Sequence, residues 1–192
     1  MCSLLKISGY KEVRNLLLSF FALCCLGLTS CDRNFFDQPQ PVDGENLTAV
    51  PEALQGIWRD KDVTIKIDAE GMQTNELDRD SLEKITFHTI SDSIHLRTAG
   101  KLWVANFKRE QGWEIMIIEK NKAGDIFFHY PSIAKLLKRK SVELVEEEKK
   151  KFGDFRHFKG NLSAKEIKKL IDPKESGFVV FYPDSTFSEE GR

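Results

Sequence analysis

From Val50 onward the chain alternates apolar and polar residues in short runs divided by turn residues, which is the signature of half-buried antiparallel strands. In Val63-Thr64-Ile65-Lys66-Ile67-Asp68 the apolar positions share one face, and Ile85-Thr86-Phe87-His88-Thr89-Ile90 and Ile94-His95-Leu96-Arg97 repeat the pattern. Turns are predicted at Ser91-Asp92-Ser93, at Ala99-Gly100 before the run Leu102 to Lys108, and at Gly112 before Trp113. Ile115-Met116-Ile117-Ile118 is apolar at successive positions, which suits a central strand covered on both faces. The polar loop Asn121-Lys122-Ala123-Gly124-Asp125 leads into Ile126-Phe127-Phe128-His129-Tyr130, so six or seven strands in meander order are expected. Ahead of them, Pro51 can open a helical turn that Gly56 ends, placing Ile57-Trp58 on a first strand.

Beyond Pro131 the period lengthens. Ile133, Leu136 and Leu137 fall at helical spacing, and Ser163 with Glu166 three residues later forms a capping box, with Leu162 placed to staple onto Ile167. Asp172-Pro173 closes that second helix. Between the two, Glu146 and Glu147 precede Lys150 and Lys151 by four residues, the favourable order for helical ion pairs. Gly177-Phe178-Val179-Val180-Phe181-Tyr182 reads as a last strand, and residues 187–192 as a frayed tail. The fold class expected is therefore α+β, mainly antiparallel β, a curved meander or partial barrel with two or three short C-terminal helices.

The first thirty residues follow a different logic. Lys6, Lys11 and Arg14 precede an apolar run from Leu16 to Gly27 and small residues before Cys31, the three parts of a secretory leader. The run is about a dozen residues, short of the ~20 needed to span a bilayer as a helix. Between residue 31 and Leu47 the chain is rich in Asp, Asn, Gln and Gly and carries Pro39 and Pro41, so residues 31–47 are expected to be a flexible tether and 48–186 a single β-rich domain. Phe35 and Phe36 break the tether's polar pattern and are assigned to the lipid interface or to packing under the domain edge.

Composition narrows the chemistry. All four cysteines (Cys2, Cys24, Cys25, Cys31) lie at or before the expected cleavage point, so residues 32–192 can form neither a disulfide nor a thiolate site. Residues 1–30 carry Lys6, Lys11 and Arg14 against Glu12, a net +2, so their removal takes the formal charge from −1 to −3. With 31% charged residues of mixed sign there is no overall field to favour nucleic acid, and the basic stretch Lys135 to Lys140 is interleaved with Leu136-Leu137 as a helix with a wet face. No nucleophile elbow, phosphate-cradling glycine loop or His-Glu-x-x-His helix is present, so no catalytic residue and no cofactor are assigned. Of the four histidines, His88 and His95 are the metal candidates. A two-residue turn at Ser91-Asp92 would set them opposite one another, whereas a turn at Asp92-Ser93 would face His88 with Arg97 instead.

Leu28-Thr29-Ser30-Cys31 behind the apolar run resembles the lipobox of bacterial lipoproteins. The resemblance implies acylation of the Cys31 thiol, cleavage just before it and acylation of the freed amine, which would anchor the protein in the cell envelope at the inner or outer membrane with residues 1–30 as signal peptide. Gly56-Ile57-Trp58 after a helical turn is similar to the Gly-x-Trp entry motif of lipocalin-like domains, and the whole arrangement looks like the small envelope lipoproteins of Bacteroidota. What this implies is a partial lipocalin-like barrel whose partners are the lipid bilayer, through acylated Cys31, and a small ligand or an envelope protein. Three function classes follow: a binding module with an apolar pocket lined by Trp58, Phe87, Leu96, Trp103 and Phe107; a structural or interaction lipoprotein with a filled core; and, most remotely, a hydrolase. Cavity size separates the first two, since ligand pockets run from about 300 Å³ upward.

Overall fold

The computed structural model describes residues 32–60, 63–77, 83–150, 153–172 and 178–183. The expected signal peptide, Cys31 and the tail 187–192 lie outside these residues. Thirteen strands are present among them: β1 (Arg33–Phe36), β2 (Asn46–Leu47), β3 (Gly56–Asp60), β4 (Val63–Ile67), β5 (Gly71–Leu77), β6 (Glu83–Thr89), β7 (Ile94–Ala99), β8 (Leu102–Arg109), β9 (Gly112–Lys120), β10 (Ile126–His129), β11 (Val142–Lys150), β12 (Gly153–Gly160) and β13 (Phe178–Pro183). Two short helices, α1 (Ile133–Leu136) and α2 (Ala164–Ile167), and 3₁₀ turns at Glu52–Leu54 and Lys168–Leu170 complete the list. The protein is thus mainly antiparallel β with few short helices, and no helix among the described residues is long and apolar enough to cross a membrane.

The sheet curls into a half-barrel that branches at β9. One edge of β9 pairs with β8 along Gly112–Ile118. Its other edge is shared, with β1 opposite Trp113 and Glu114 and β10 opposite Ile117 to Lys120. One arm runs β1, β12, β11; the other runs β10, β13, β3, β4, β5, β6. On the far side of β8 lies β7, with β2 on its edge. The second arm curls until β6 and β7, consecutive in the chain, form the two lips of the half-barrel, joined by one bridge, Ser91 to Ile94.

The doubly apolar run on β9 places a core on each of its faces. Ile115 and Ile117, with Leu102 and Val104 of β8, point outward and are covered by α1, α2 and the second 3₁₀ turn through Leu136, Ile167 and Leu170. Met116 and Ile118, with Ala105 and Phe107, point inward with Trp58, Ile65, Leu96 and Phe128. The helices form where predicted. The Ser132 hydroxyl caps α1, and the capping box of α2 is made, Ser163 N–H and Oγ both donating to Glu166 at 2.9 and 2.8 Å. Burial disfavours the Glu166 anion, but the bonds from Ser141 and Ser163 outweigh it and hold this carboxyl below its ordinary value.

Two expectations need correction. Residues 31–47 are not a flexible tether from Asp32 onward. Phe35 and Phe36 are 1% and 0% exposed on opposite faces of β1, stacked on Phe155 at 6.0 Å and on Phe158 at 5.8 Å. β1 lies inside the sheet, parallel to β12 and antiparallel to β9, and Gly112 makes room for it, because a Cβ there would come within 2.7 Å of the Phe36 carbonyl oxygen. One of the polar residues read as tether, Gln40, is partnered inside the fold. Gln40 is wholly buried, its N–H donates to Asn106 Oδ1 at 2.6 Å and its carbonyl accepts from Asn106 Nδ2 at 2.9 Å, while its own side chain accepts the Leu162 N–H at 2.8 Å. Likewise, the Glu/Lys run 146–151 is not helical up to Lys150, which ends β11. Pairing with β12 overrides helical propensity, and the ion pairs made are those of a strand, Arg156 to Glu147 across the hairpin at 2.7 Å and Lys150 to Glu148 two residues apart at 3.0 Å.

Candidate functional site

A concave feature with apolar walls lies inside the half-barrel, between its two lips. Met72 on β5 and His88 on β6 face Leu96 on β7, Phe107 on β8 and Met116 on β9 across it, and Leu54 of the 3₁₀ turn sits at its base. The local reason is parity: on β4, β7, β8 and β9 alternate apolar residues point inward, whereas β6 presents His88, and the first turn is held against the barrel by Trp58 Nε1 donating to the Leu54 carbonyl at 3.2 Å. The free volume is about 60 Å³. Side chains fill the rest.

Of the five residues expected to line a pocket, Leu96 and Phe107 do so. Trp58 and Trp103 belong to the same inner core but do not border the cavity; Trp58 is 4% exposed, with Lys120 Nζ over its ring at 4.8 Å. Phe87 lies on β6, and its side chain is outside the described residues. Met72, Met116, Ile118 and Phe128 were not picked out as lining residues. Met116 and Ile118 share one parity of the doubly apolar run, which was the available signal; Met72 sits on a strand whose polar sequence, Gly-Met-Gln-Thr-Asn-Glu-Leu, offered none.

His88 and His95 do not face one another. The bridge from Ser91 to Ile94 puts Asp92-Ser93 at the turn, after which β6 pairs with β5 and β7 with β8. His88 points into the cavity, edge-on to Phe107 at 6.0 Å, while His95 lies on the opposite face of β7 against Trp113 at 4.8 Å. Parity on diverging strands thus sends the two imidazoles to different sides of the sheet. Among the described residues no three His, Cys, Asp or Glu side chains converge as a metal site. Two other histidines meet carboxylates, His157 with Asp37 at 2.8 Å and His129 with Glu119 at 3.5 Å, but neither borders the cavity.

His88 is the one titratable group on the cavity wall, and its pKa is lowered, first by burial and then by the positive charge of Arg109. A histidine kept neutral in the fold contributes stability fully present above the unfolded value of 6.5 and lost as pH falls through the folded value, because the unfolded chain takes up the proton first. His88→Phe should therefore flatten the loss of thermal stability between neutral pH and pH ~5. Melting curves of both proteins across that range test it, and parallel pH profiles would count against it. A single imidazole in an apolar cleft supplies neither a nucleophile and base nor a ligand set. No protein-family model, curated protein or solved structure matches the chain.

Proposed function

We propose that this protein is a lipid-anchored component of a bacterial cell envelope, acylated at Cys31, whose β domain acts through its surface as an interaction or structural module. The observation that carries the choice between pocket and surface is the size of the inner cavity. At about 60 Å³ it falls well short of the ~300 Å³ at which small-molecule pockets begin. The anchor reading is supported by Leu28-Thr29-Ser30-Cys31 following a leader-like apolar run, and by the confinement of every other cysteine to residues before it. A partial lipocalin-like barrel is supported by the Gly56-Ile57-Trp58 entry and the curl of β3 to β10, but here the half-barrel holds side chains where a carrier holds its cargo. Cys31 gives this module its place, and the module's outer face meets whatever it engages.

Native mass spectrometry of the protein purified from its own membrane fraction tests both parts. The expected spectrum shows an acylated N-terminal Cys31 and no co-purified small molecule. A stoichiometric apolar ligand would restore the binding module, and an unmodified thiol would remove the anchor. In the same cells, Cys31→Ala should leave the protein in the soluble fraction or as unprocessed precursor; membrane association equal to that of the unaltered protein contradicts the reading.

A further inference from the structure

Asp32, the residue next to the proposed acylation site, is already part of the fold. Its Oδ1 accepts the Asp154 N–H at 2.9 Å, and its Oδ2 accepts from Arg156 Nη1 at 3.1 Å. Arg156 is itself fixed, its side chain 11% exposed and bound to Glu147 at 2.7 Å and Asp154 at 2.6 Å. One residue later β1 begins. Consecutive Cα atoms are 3.8 Å apart, so an acyl group on Cys31 has a single peptide link, not a spacer, between it and the domain.

The registers say what surrounds that point. Arg33 pairs with Phe155, Lys149 with Asp154 and Lys150 with Gly153, so the end of β11 and the start of β12 flank the start of β1. β10 and β1 both run antiparallel to β9 along one edge of it, β10 ending opposite Ile117 and β1 continuing to Trp113, which brings Tyr130, just past the end of β10 and 50% exposed, beside the start of β1. Arg33, Lys149 and Lys150 are exposed. The carboxylates there are drawn inward or paired: Asp32, Glu147 and Asp154 converge on Arg156 and Glu148 lies 3.0 Å from Lys150 Nζ, so the surface is balanced in charge with the cations Arg33, Lys149 and Lys150 exposed on it. Basic side chains with an exposed tyrosine form the residue set that settles in a phospholipid head-group layer, cations toward phosphate and the phenol ring at the boundary with the acyl chains.

We infer that this end of the domain, carrying Arg33, Lys149, Lys150 and Tyr130, lies directly on the phospholipid head groups and fixes the orientation of the protein on its membrane. The inference rests on the acylation of Cys31. It commits to lipid as the occupant, and the opposite end of the β11–β12 hairpin, at Lys159, then projects away from the bilayer. Gly153 and Lys159 are six residues apart along β12, about 20 Å at strand spacing.

With Cys31 acylated and the leader removed, an introduced cysteine is the single free thiol of the full mature chain. Tyr130→Cys and Lys159→Cys, each carrying a nitroxide and reconstituted in phosphatidylethanolamine/phosphatidylglycerol vesicles, report depth through their relative accessibility to oxygen and to a water-soluble nickel chelate. The label at residue 130 should be several-fold less accessible to the chelate than the label at 159, and Lys149→Glu with Lys150→Glu should bring it back toward the value at 159. Equal chelate accessibility at 130 and 159, no response to the charge reversal, or protection of 130 only on adding an envelope extract overturns the inference. The acyl mass of Cys31, read on the same sample, separates the two failures: an acylated chain with a water-exposed residue 130 leaves the anchor standing, and an unacylated chain removes both. Circular dichroism of each labelled variant confirms that the comparison is made between folded proteins.

Discussion

Phe36→Ala should destabilise the domain by about 3–5 kcal/mol, the range for removing a fully buried phenylalanine whose neighbours cannot close the gap. The ring is 0% exposed, stacked on Phe158, and belongs to the outer core with Ile115, Ile117 and Leu170. Its surroundings are rigid on three sides, since β1 is flanked by β12 and β9 and the helices cap the face above. The same substitution in a solvated tether would change stability by less than ~0.5 kcal/mol, so denaturant unfolding of the single variant decides how this segment is built. Phe35→Ala serves as the companion, acting on the opposite face of the strand. A loss below 1 kcal/mol for both would remove β1 from the fold.

Asn106→Ala should cost nearly as much, about 3 kcal/mol, through hydrogen bonds instead of volume. Asn106 is 0% exposed and its amide exchanges a donor and an acceptor with the backbone of Gln40, as a neighbouring strand would, while Nδ2 also reaches the Val104 carbonyl at 3.1 Å. Truncation leaves the Gln40 N–H and C=O buried with no partner of equal geometry. Because the Gln40 side chain in turn holds the Leu162 N–H, the damage should spread to the segment before α2. Hydrogen exchange is the measurement of choice, with faster exchange expected at Gln40 and Leu162 before it rises in β8. Uniform acceleration across the sheet would mean that the pair is not a local clasp.

These two sites also mark the boundary of what the amino-acid order reveals. β4 and β7 are legible because alternation reports a strand with one face buried, β9 because its run is apolar at successive positions, and the helices because Ile133 with Leu136 and Ser163 with Glu166 are local signals read within four residues; the polar β5 is not legible. β1 is not legible. It is four residues long, buried on both faces, and bounded by polar residues whose partners lie far along the chain: Gln40 meets Asn106 and Leu162, and Asp32 meets Arg156. A side-chain pairing across 66 or 122 positions leaves no mark on local hydropathy. β11 fails for the opposite reason, since its Glu/Lys spacing is a sound helical pattern and only the hairpin with β12 decides against it. For the cavity, the inward faces of β7 and β8 gave Leu96 and Phe107, but size is a property of packing that no count of aromatic residues supplies.

The place of β1 has a consequence for the order of events during synthesis. Arg33 pairs with Phe155 and Phe36 with Phe158, so β1 has as its parallel neighbour a strand made more than a hundred residues later. Closing so long a loop is slow, and contacts of this separation are among the last to form. Until β12 has emerged, Phe35 and Phe36 have no home and the β12-facing side of β1 stays unpaired. A ribosome stalled before residue 153 would therefore hold a half-barrel still lacking β13, the strand that joins β10 to β3, with one side of β1 unpaired. Such a chain is a natural client for a holding chaperone and a poor one for early release.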